Sequence, residues 1–374
     1  MMQTIAAIAT GEPGGFRIAP VELDDLRGDE VLVDVVAVGM CHTDLSAASG
    51  VIPFPLPGVL GHEGAGRVRA VGAAVTRVRP GDAVLMTFTS CGRCRQCRGG
   101  HPAYCDHHLP WNLLGGARAD GTPTMTDAEG GPLHAHFFGQ SSFARQAIAD
   151  ERSLVRLGDD ISDDDLALYA PLGCGLQTGA GAVLNVLRPA PDEVLAVSGA
   201  GAVGLAAVMA AGAVSVQRIV VIDRVPERLN LARELGATDV VDATTTDVAT
   251  ALGELTAGAG VHAVVETTGN VGVLETMIGA LGVGGTCAVV GAPRAGSRAS
   301  FDVNAHLPGR RIVGVTLGDS EPERFVPQLI ALHRSGRFPL ERLERRYSFA
   351  EIGEAAADAA GGRTIKPVLI MEDA

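Results

Sequence analysis

The sequence predicts a two-domain α/β protein in which a doubly wound parallel sheet is inserted into a mainly β domain. Three observations lead there. The chain has 374 residues, 47% of them apolar, which is more than one core usually organises. Its first part reads as short β-branched runs between turns, whereas from about residue 165 strand-like and helix-like segments alternate. The 49 glycines, with abundant Ala and Val, suit helices packed closely on a sheet.

Taken in order, EVLVDVVAVG (30–39), GAGRVRAVG (64–72) and GDAVLMTF (81–88) read as strands bounded by Gly, Pro and Asp. Two stretches break this pattern. One is the loop CGRCRQCRGGHPAYC (91–105), and the other is the Gly-rich 113–139, too polar to be regular. Six strand-like segments follow between 193 and 318: EVLAVSGAG, RIVVIDR, ATDVVDA, VHAVVETTG, GGTCAVVGA and RRIVGVTLG. Helical stretches such as AVGLAAVMAAGA and PERLNLARELGA separate them, as βαβ units require. The segment 319–374 adds two helices and a last strand, KPVLIM. The expected boundaries are residues 1–170, completed by 311–374, for the β-rich domain and 171–310 for the inserted one.

A net charge of −13 with scattered arginines offers no concentrated basic face, so nucleic acid is not an expected partner. No apolar run is long enough to span a bilayer, and MMQTIAAIATGEPG lacks the basic start and long apolar core of a signal peptide. Seven cysteines, several with metal-like spacing, suit a reducing cytoplasm.

Cys91, Cys94, Cys97 and Cys105 follow the pattern C-x2-C-x2-C-x7-C within one loop. Four thiolates that close read as a tetrahedral zinc site with every position filled, which braces a loop and does no chemistry; a disulfide pair or free thiols are the alternatives. Further on, Gly199-Ala-Gly201-Ala-Val203-Gly204 follows an apolar strand and opens a helix, and Asp223 ends the next strand. This is the Rossmann arrangement for a dinucleotide: the glycines allow backbone N–H groups to approach a pyrophosphate, and the helix N-terminus adds a favourable dipole. Asp223 would accept hydrogen bonds from an adenosine ribose and repel a 2′-phosphate, favouring NAD, although Arg224 beside it softens the preference. An α/β sheet that binds no dinucleotide is the alternative.

Three cysteines remain. Cys41 lies in GMCHTD, Cys174 in PLGCGLQTGAG, and Cys287 in GGTCAVVG, the last best described as a core thiol. Cys41 and Cys174, with His62 of GHEGAG, are suitable ligands for a catalytic zinc that keeps its fourth position open. They are far apart in sequence, so spacing leaves open whether they converge; singly, each also reads as a buried core residue.

The surrounding words resemble the zinc-dependent medium-chain alcohol dehydrogenases over essentially the whole chain. GHEGAGRVRAVGAAV (61–75) matches that family's GHE-x2-G-x5-G-x2-V pattern, and the four-cysteine loop, the GAGAVG turn and Asp223 follow in the family's order. GMCHTD, FFGQSSFA and LGCGLQTGAGAVLN look most like the bacterial aryl- (benzyl-) alcohol dehydrogenases. The resemblance implies a GroES-like catalytic domain around a Rossmann domain and two Zn2+ per chain. Cys41, His62 and Cys174 would hold the catalytic zinc, and the four-cysteine loop the structural one. Thr43 would take the alcohol proton, Asp44 would orient His62, and Glu63 would stand near the metal. His42 and Lys366 would approach the cofactor phosphates, and Arg228 would flank the adenosine. Many relatives carry a proton-accepting histidine five residues after the first zinc-ligand cysteine, where this chain has Ser46; release of the proton to water is expected instead.

The implied reaction is NAD-linked hydride transfer from a zinc-bound alkoxide, interconverting a small-molecule alcohol and its aldehyde. Phe88, Trp111, Phe137, Phe138 and Ile52 are the candidates for an apolar pocket suited to aromatic or allylic primary alcohols. A mycothiol- or glutathione-linked formaldehyde dehydrogenase is the alternative enzyme, and a zinc-stabilised nucleotide-binding scaffold without turnover the alternative of another class. By analogy the chain forms a homodimer through the edge strand RRIVGVTLG, with a tetramer as the second option.

Overall fold

The computed structural model describes residues 2–11 and 15–371. The chain divides into two compact units, Met1–Cys174 with Glu321–Ile330 and Leu340–Ala374, and Gly175–Ser320 with Ala331–Pro339. The junction expected at 310/311 therefore falls ten residues later. The reason is the strand Arg311–Gly314, which pairs in parallel with Leu281–Val289 and so continues the inserted sheet.

That sheet has six parallel strands in the order Asp239–Asp242, Arg218–Asp223, Val194–Ser198, Val261–Glu266, Leu281–Val289, Arg311–Gly314. Its central strands are almost continuously apolar and buried, as strands covered by helices on both faces must be. A core of Val220, Ile222, Val264, Met277 and Cys287 lies against one face, and Cys287 is a fully buried member of it.

The other unit contains two sheets. One orders Gly58–Val59, Met2–Ala9, Phe16–Leu23, Met125–Asp127 and Pro132–Leu133. The other runs Leu154–Arg156, Ala83–Met86, Glu63–Val71, Glu30–Gly39, Lys366–Ile370, Glu344–Ser348, with Gln146–Asp150 also paired to Glu30–Gly39. Lys366–Ile370 lies antiparallel to the end of Glu30–Gly39, Val368 facing Gly39. This pairing sets the start of a C-terminal strand beside Cys41. Stretch 113–139 is more ordered than its composition suggests: it carries the two short strands Met125–Asp127 and Pro132–Leu133. Its Arg118, 5% exposed, donates to Glu30, Asp24 and the Pro123 carbonyl, which ties the stretch to the sheet. No helix among the described residues is long and apolar enough to cross a membrane.

Candidate active site

Three segments bring Cys41, His62, Glu63 and Cys174 together, and one ligand atom from each lies within 4.8 Å of all the others. Cys41 is the N-cap of the helix His42–Ala48, just past the strand Glu30–Gly39. His62 precedes the strand Glu63–Val71, which pairs with Glu30–Gly39 so that Glu63 faces Gly39. Gly39 must lack a side chain, because a Cβ there would collide with the Glu63 carboxylate. Cys174 follows the short turn Ala170–Gly173, whose Gly173 carbonyl accepts the Thr87 hydroxyl at 2.6 Å.

Asp44 organises the cluster from full burial. Its Oδ2 accepts the Cys41 N–H at 2.9 Å, and its Oδ1 accepts the Gly61 N–H at 3.0 Å and lies 2.9 Å from His62 Nδ1. Gln140, also fully buried, donates to the carbonyls of His62 (3.1 Å) and Thr87 (2.8 Å). The imidazole is thus held at its ring nitrogen and at its backbone. His62 Nε2 is buried and has no hydrogen-bond partner among the described residues. An orphaned buried nitrogen beside two thiols is what a metal ligand would be, and a costly defect otherwise. The donor set, two Cys and one His with the carboxylate of Glu63 beside them, fits zinc.

The surroundings of the cluster favour positive charge. Burial lowers the His62 pKa, but the Asp44 carboxylate and the Cys41 thiolate raise it to about 10. A hydrogen bond from Cys174 holds the Cys41 thiol well below its ordinary value against the effect of burial, and the same bond pushes Cys174 up. Thr43 Oγ1 lies 3.7 Å from Cys41 Sγ. Ser46, one helical turn on, is half-buried, and His42 is exposed.

Lys366 requires a correction. It was expected to meet cofactor phosphate, yet its side chain is 3% exposed. Nζ donates to Glu63 Oε1 (3.0 Å) and Oε2 (2.9 Å) and to the Met40 carbonyl (3.2 Å). Burial disfavours the ammonium, but the Glu63 carboxylate and the Cys41 thiolate outweigh it and raise the pKa above the ordinary lysine value. Lys366 is a buried counter-ion of the metal cluster.

The aromatic candidates separate. Phe138 stacks on His62 at 4.4 Å and 22°, and Phe137 meets the same ring edge-on at 5.3 Å. Phe138 adopts φ 55°, a left-handed conformation that costs a bulky residue about 1–2 kcal/mol and sets its ring against the imidazole. Phe54, which carries no motif signal, packs on Phe137 at 5.0 Å. Phe88 is buried 6.3 Å from the ring of His108, another residue without a sequence signal. Ile52 is half-buried nearby in sequence. Trp111 does not join this shell: it stacks on His107 at 4.5 Å and lines a separate polar cavity of about 380 Å³ with Arg118, His136 and Asp150.

Cys91, Cys94, Cys97 and Cys105 place their sulfurs within 4.8 Å of one another. A tetrahedron with bonds of about 2.3 Å puts sulfurs about 3.8 Å apart, and Cys91 and Cys97 Sγ are 3.9 Å apart. That distance excludes a disulfide between them. Backbone N–H groups of Cys91, Cys94 and His107 point at these sulfurs at 3.3–3.4 Å, as they do around metal-bound thiolates.

In the other unit, Gly199 and Gly201 form the turn between Val194–Ser198 and the helix Ala202–Ala213, and Val203 and Gly204 lie in the first turn of that helix. A Cβ on Gly204 would collide with the Gly199 carbonyl, whereas one on Gly201 would meet nothing within 4 Å, so open space lies over the turn. Asp223 accepts the N–H groups of Ala200 (2.6 Å), Arg224 (2.7 Å) and Val225 (2.9 Å), which fixes its carboxylate at the end of its strand. Arg228 is half-buried in the next helix, Pro226–Glu234.

Two family models match this chain: the alcohol dehydrogenase GroES-like domain over residues 27–159 and the zinc-binding dehydrogenase over residues 202–333. A geraniol dehydrogenase of Castellaniella defragrans is 43% identical over 98% of this chain and 97% of its own. Among solved structures, an alcohol dehydrogenase zinc-binding domain protein from Burkholderia ambifaria is 48% identical with a TM-score of 0.96. The benzyl alcohol dehydrogenase of Acinetobacter calcoaceticus is 41% identical with a TM-score of 0.94; both structures match over the full length of each chain.

Proposed function

The chain belongs to the zinc-dependent medium-chain alcohol dehydrogenases, and from that premise we propose that it interconverts primary aromatic or allylic alcohols and their aldehydes, with NAD as hydride carrier. The phenylalanine shell on His62 carries the substrate class: Phe137 and Phe138 touch the imidazole, and Phe54 backs them. Such a wall gains most from flat, unsaturated substrates. Relatives named for geraniol, an allylic alcohol, and for benzyl alcohol support the same class.

When bound, zinc supplies a Lewis acid that makes an alcohol hydroxyl acidic, and NAD supplies the hydride acceptor. Cys41, His62 and Cys174 would hold this zinc, and Cys91, Cys94, Cys97 and Cys105 a second, giving two per chain. Asp44 keeps the His62 proton on Nδ1, so that Nε2 presents its lone pair to the metal. Glu63, held by Lys366, balances the buried charge beside the cluster. Thr43 Oγ1 would accept the alcohol proton while passing its own hydroxyl proton on, and Ser46, which has no basic group, would leave that proton to water. The turn 199–204 cradles the pyrophosphate, Asp223 takes the adenosine ribose and disfavours a 2′-phosphate, and Arg228 flanks the adenosine. The exposed edge strand Arg311–Gly314 suits pairing with a second copy across a two-fold axis. Seven free cysteines, two sets of them grouped as metal ligands, suit the cytoplasm.

The test is reduced-nicotinamide formation with benzyl, cinnamyl and geranyl alcohols beside ethanol, with NAD and NADP in parallel. Faster turnover of the unsaturated alcohols with NAD is expected. Equal efficiency with ethanol would reject the substrate class, and no turnover by protein shown to carry zinc would reject the enzyme reading.

A further inference from the structure

His108 lies three residues past Cys105, and its ring stands between the two parts of the aromatic shell. It meets Phe88 at 6.3 Å and 63°, and Phe138 edge-on at 6.5 Å and 86°. Phe138 in turn stacks on His62. A single aromatic ring therefore separates His108 from the imidazole of the metal cluster, about the reach of a benzyl or terpenoid tail.

Asn112, 1% exposed, fixes the orientation of this histidine. Its Oδ1 accepts the Thr89 N–H at 2.9 Å, which identifies the other amide atom as nitrogen. That Nδ2 donates to the Thr89 carbonyl at 3.1 Å and the His108 carbonyl at 3.0 Å, and lies 3.4 Å from His108 Nδ1. The two amide hydrogens go to the two closer carbonyls, and an Nδ1–H would face the same amide as a further donor, which favours the ring proton on Nε2. Among the described residues Nε2 has no hydrogen-bond partner, and the side chain keeps partial exposure. This N–H is free to donate to an acceptor carried by a ligand.

We infer that His108 is a specificity-determining residue: its Nε2–H is a single polar point in an aromatic wall, and it recognises a neutral acceptor oxygen carried by the far end of the substrate. The inference rests on the alcohol-oxidation reading above. The preferred class is the aryl alcohol bearing an ether, hydroxyl or carbonyl oxygen on its ring. A hydrocarbon tail leaves the donor unpaired, and a basic tail is refused because Nε2–H cannot accept a hydrogen bond.

The experiment compares kcat/KM for meta- and para-methoxybenzyl alcohols with their methyl analogues, in the wild-type holoenzyme and in the His108→Phe and His108→Gln variants. The wild type should prefer methoxy over methyl about tenfold at one ring position, as one hydrogen bond to ligand allows, and through KM rather than kcat. His108→Phe should bring that ratio to about one while benzyl alcohol itself turns over within about threefold of wild type. His108→Gln, which keeps a donor, should retain part of the preference. A wild type without preference at either position would overturn the inference before any variant is made. An unchanged ratio in His108→Phe would overturn it as well. If benzyl alcohol is not oxidised at all, the functional reading fails instead, and the two failures are distinguishable.

Discussion

Replacing Asp44 by Asn tests whether the metal cluster depends on its buried carboxylate. The wild-type group accepts three contacts, from the Cys41 N–H, the Gly61 N–H and His62 Nδ1, all between 2.9 and 3.0 Å. An amide offers one oxygen. In its better orientation that oxygen keeps Gly61 and His62, and the amide nitrogen then faces the Cys41 N–H. One buried backbone donor is stranded against another donor, at a cost of about 1–3 kcal/mol. The same change removes the negative charge behind His62, and loss of such a partner typically weakens metal affinity 10- to 100-fold, or about 1.4–2.8 kcal/mol. The two routes agree in size. Chelator competition on the loaded protein should therefore show one zinc per chain released 10- to 100-fold more readily, while the zinc of the four-cysteine loop is unchanged. Wild-type zinc retention in Asp44→Asn would refute the argument, since no orientation of the amide satisfies all three groups.

Phe137→Ala should raise KM for benzyl alcohol about tenfold or more with little change for ethanol, because it removes a fully buried ring that touches both His62 and Phe54; steady-state kinetics with both alcohols decide it, and equal effects would sink the pocket assignment. Ser46→His should place a base one turn past Thr43 and speed turnover on the acidic side of the pH–rate profile, and an unchanged profile would remove the idea. Gly204→Ala should weaken NAD binding at least tenfold while leaving both zincs in place, because the new methyl meets the Gly199 carbonyl and opens the turn; a titration of cofactor binding and a zinc assay separate the two effects.

The parallel sheet was legible because its strands are apolar β-branched runs buried on both faces, a pattern that survives without partners. The pair Met2–Ala9 and Phe16–Leu23 was not picked out. One is rich in alanine and the other holds Pro20, so neither advertises strand propensity, yet they pair over eight residues. Of the two metal clusters, the four-cysteine loop could be read from local spacing. The set Cys41, His62 and Cys174 could not, since sheet pairing joins the first two segments and a distant turn held by Thr87 brings the third, and the family resemblance supplied it. The Lys366–Glu63 pair spans 303 residues and leaves no trace in local pattern. His108 was invisible for a different reason: in sequence it is one more histidine in a loop, and only the phenylalanines around it give it meaning.

The bond from Lys366 to the Met40 carbonyl closes a separation of 326 residues. On a ribosome adding about 5–20 residues per second, that interval lasts about 20–60 s. Throughout it Cys41, His62, Glu63 and then Cys174 have emerged, while the ammonium that neutralises Glu63 and the strand that carries it have not been made. The nascent β-rich unit must wait, the Ala37–Gly39 end of the Glu30–Gly39 strand unpaired on one edge, while the whole Rossmann unit is synthesised and folds. Order of manufacture thus runs opposite to order of function: the centre where chemistry happens is the last part of the molecule to be finished.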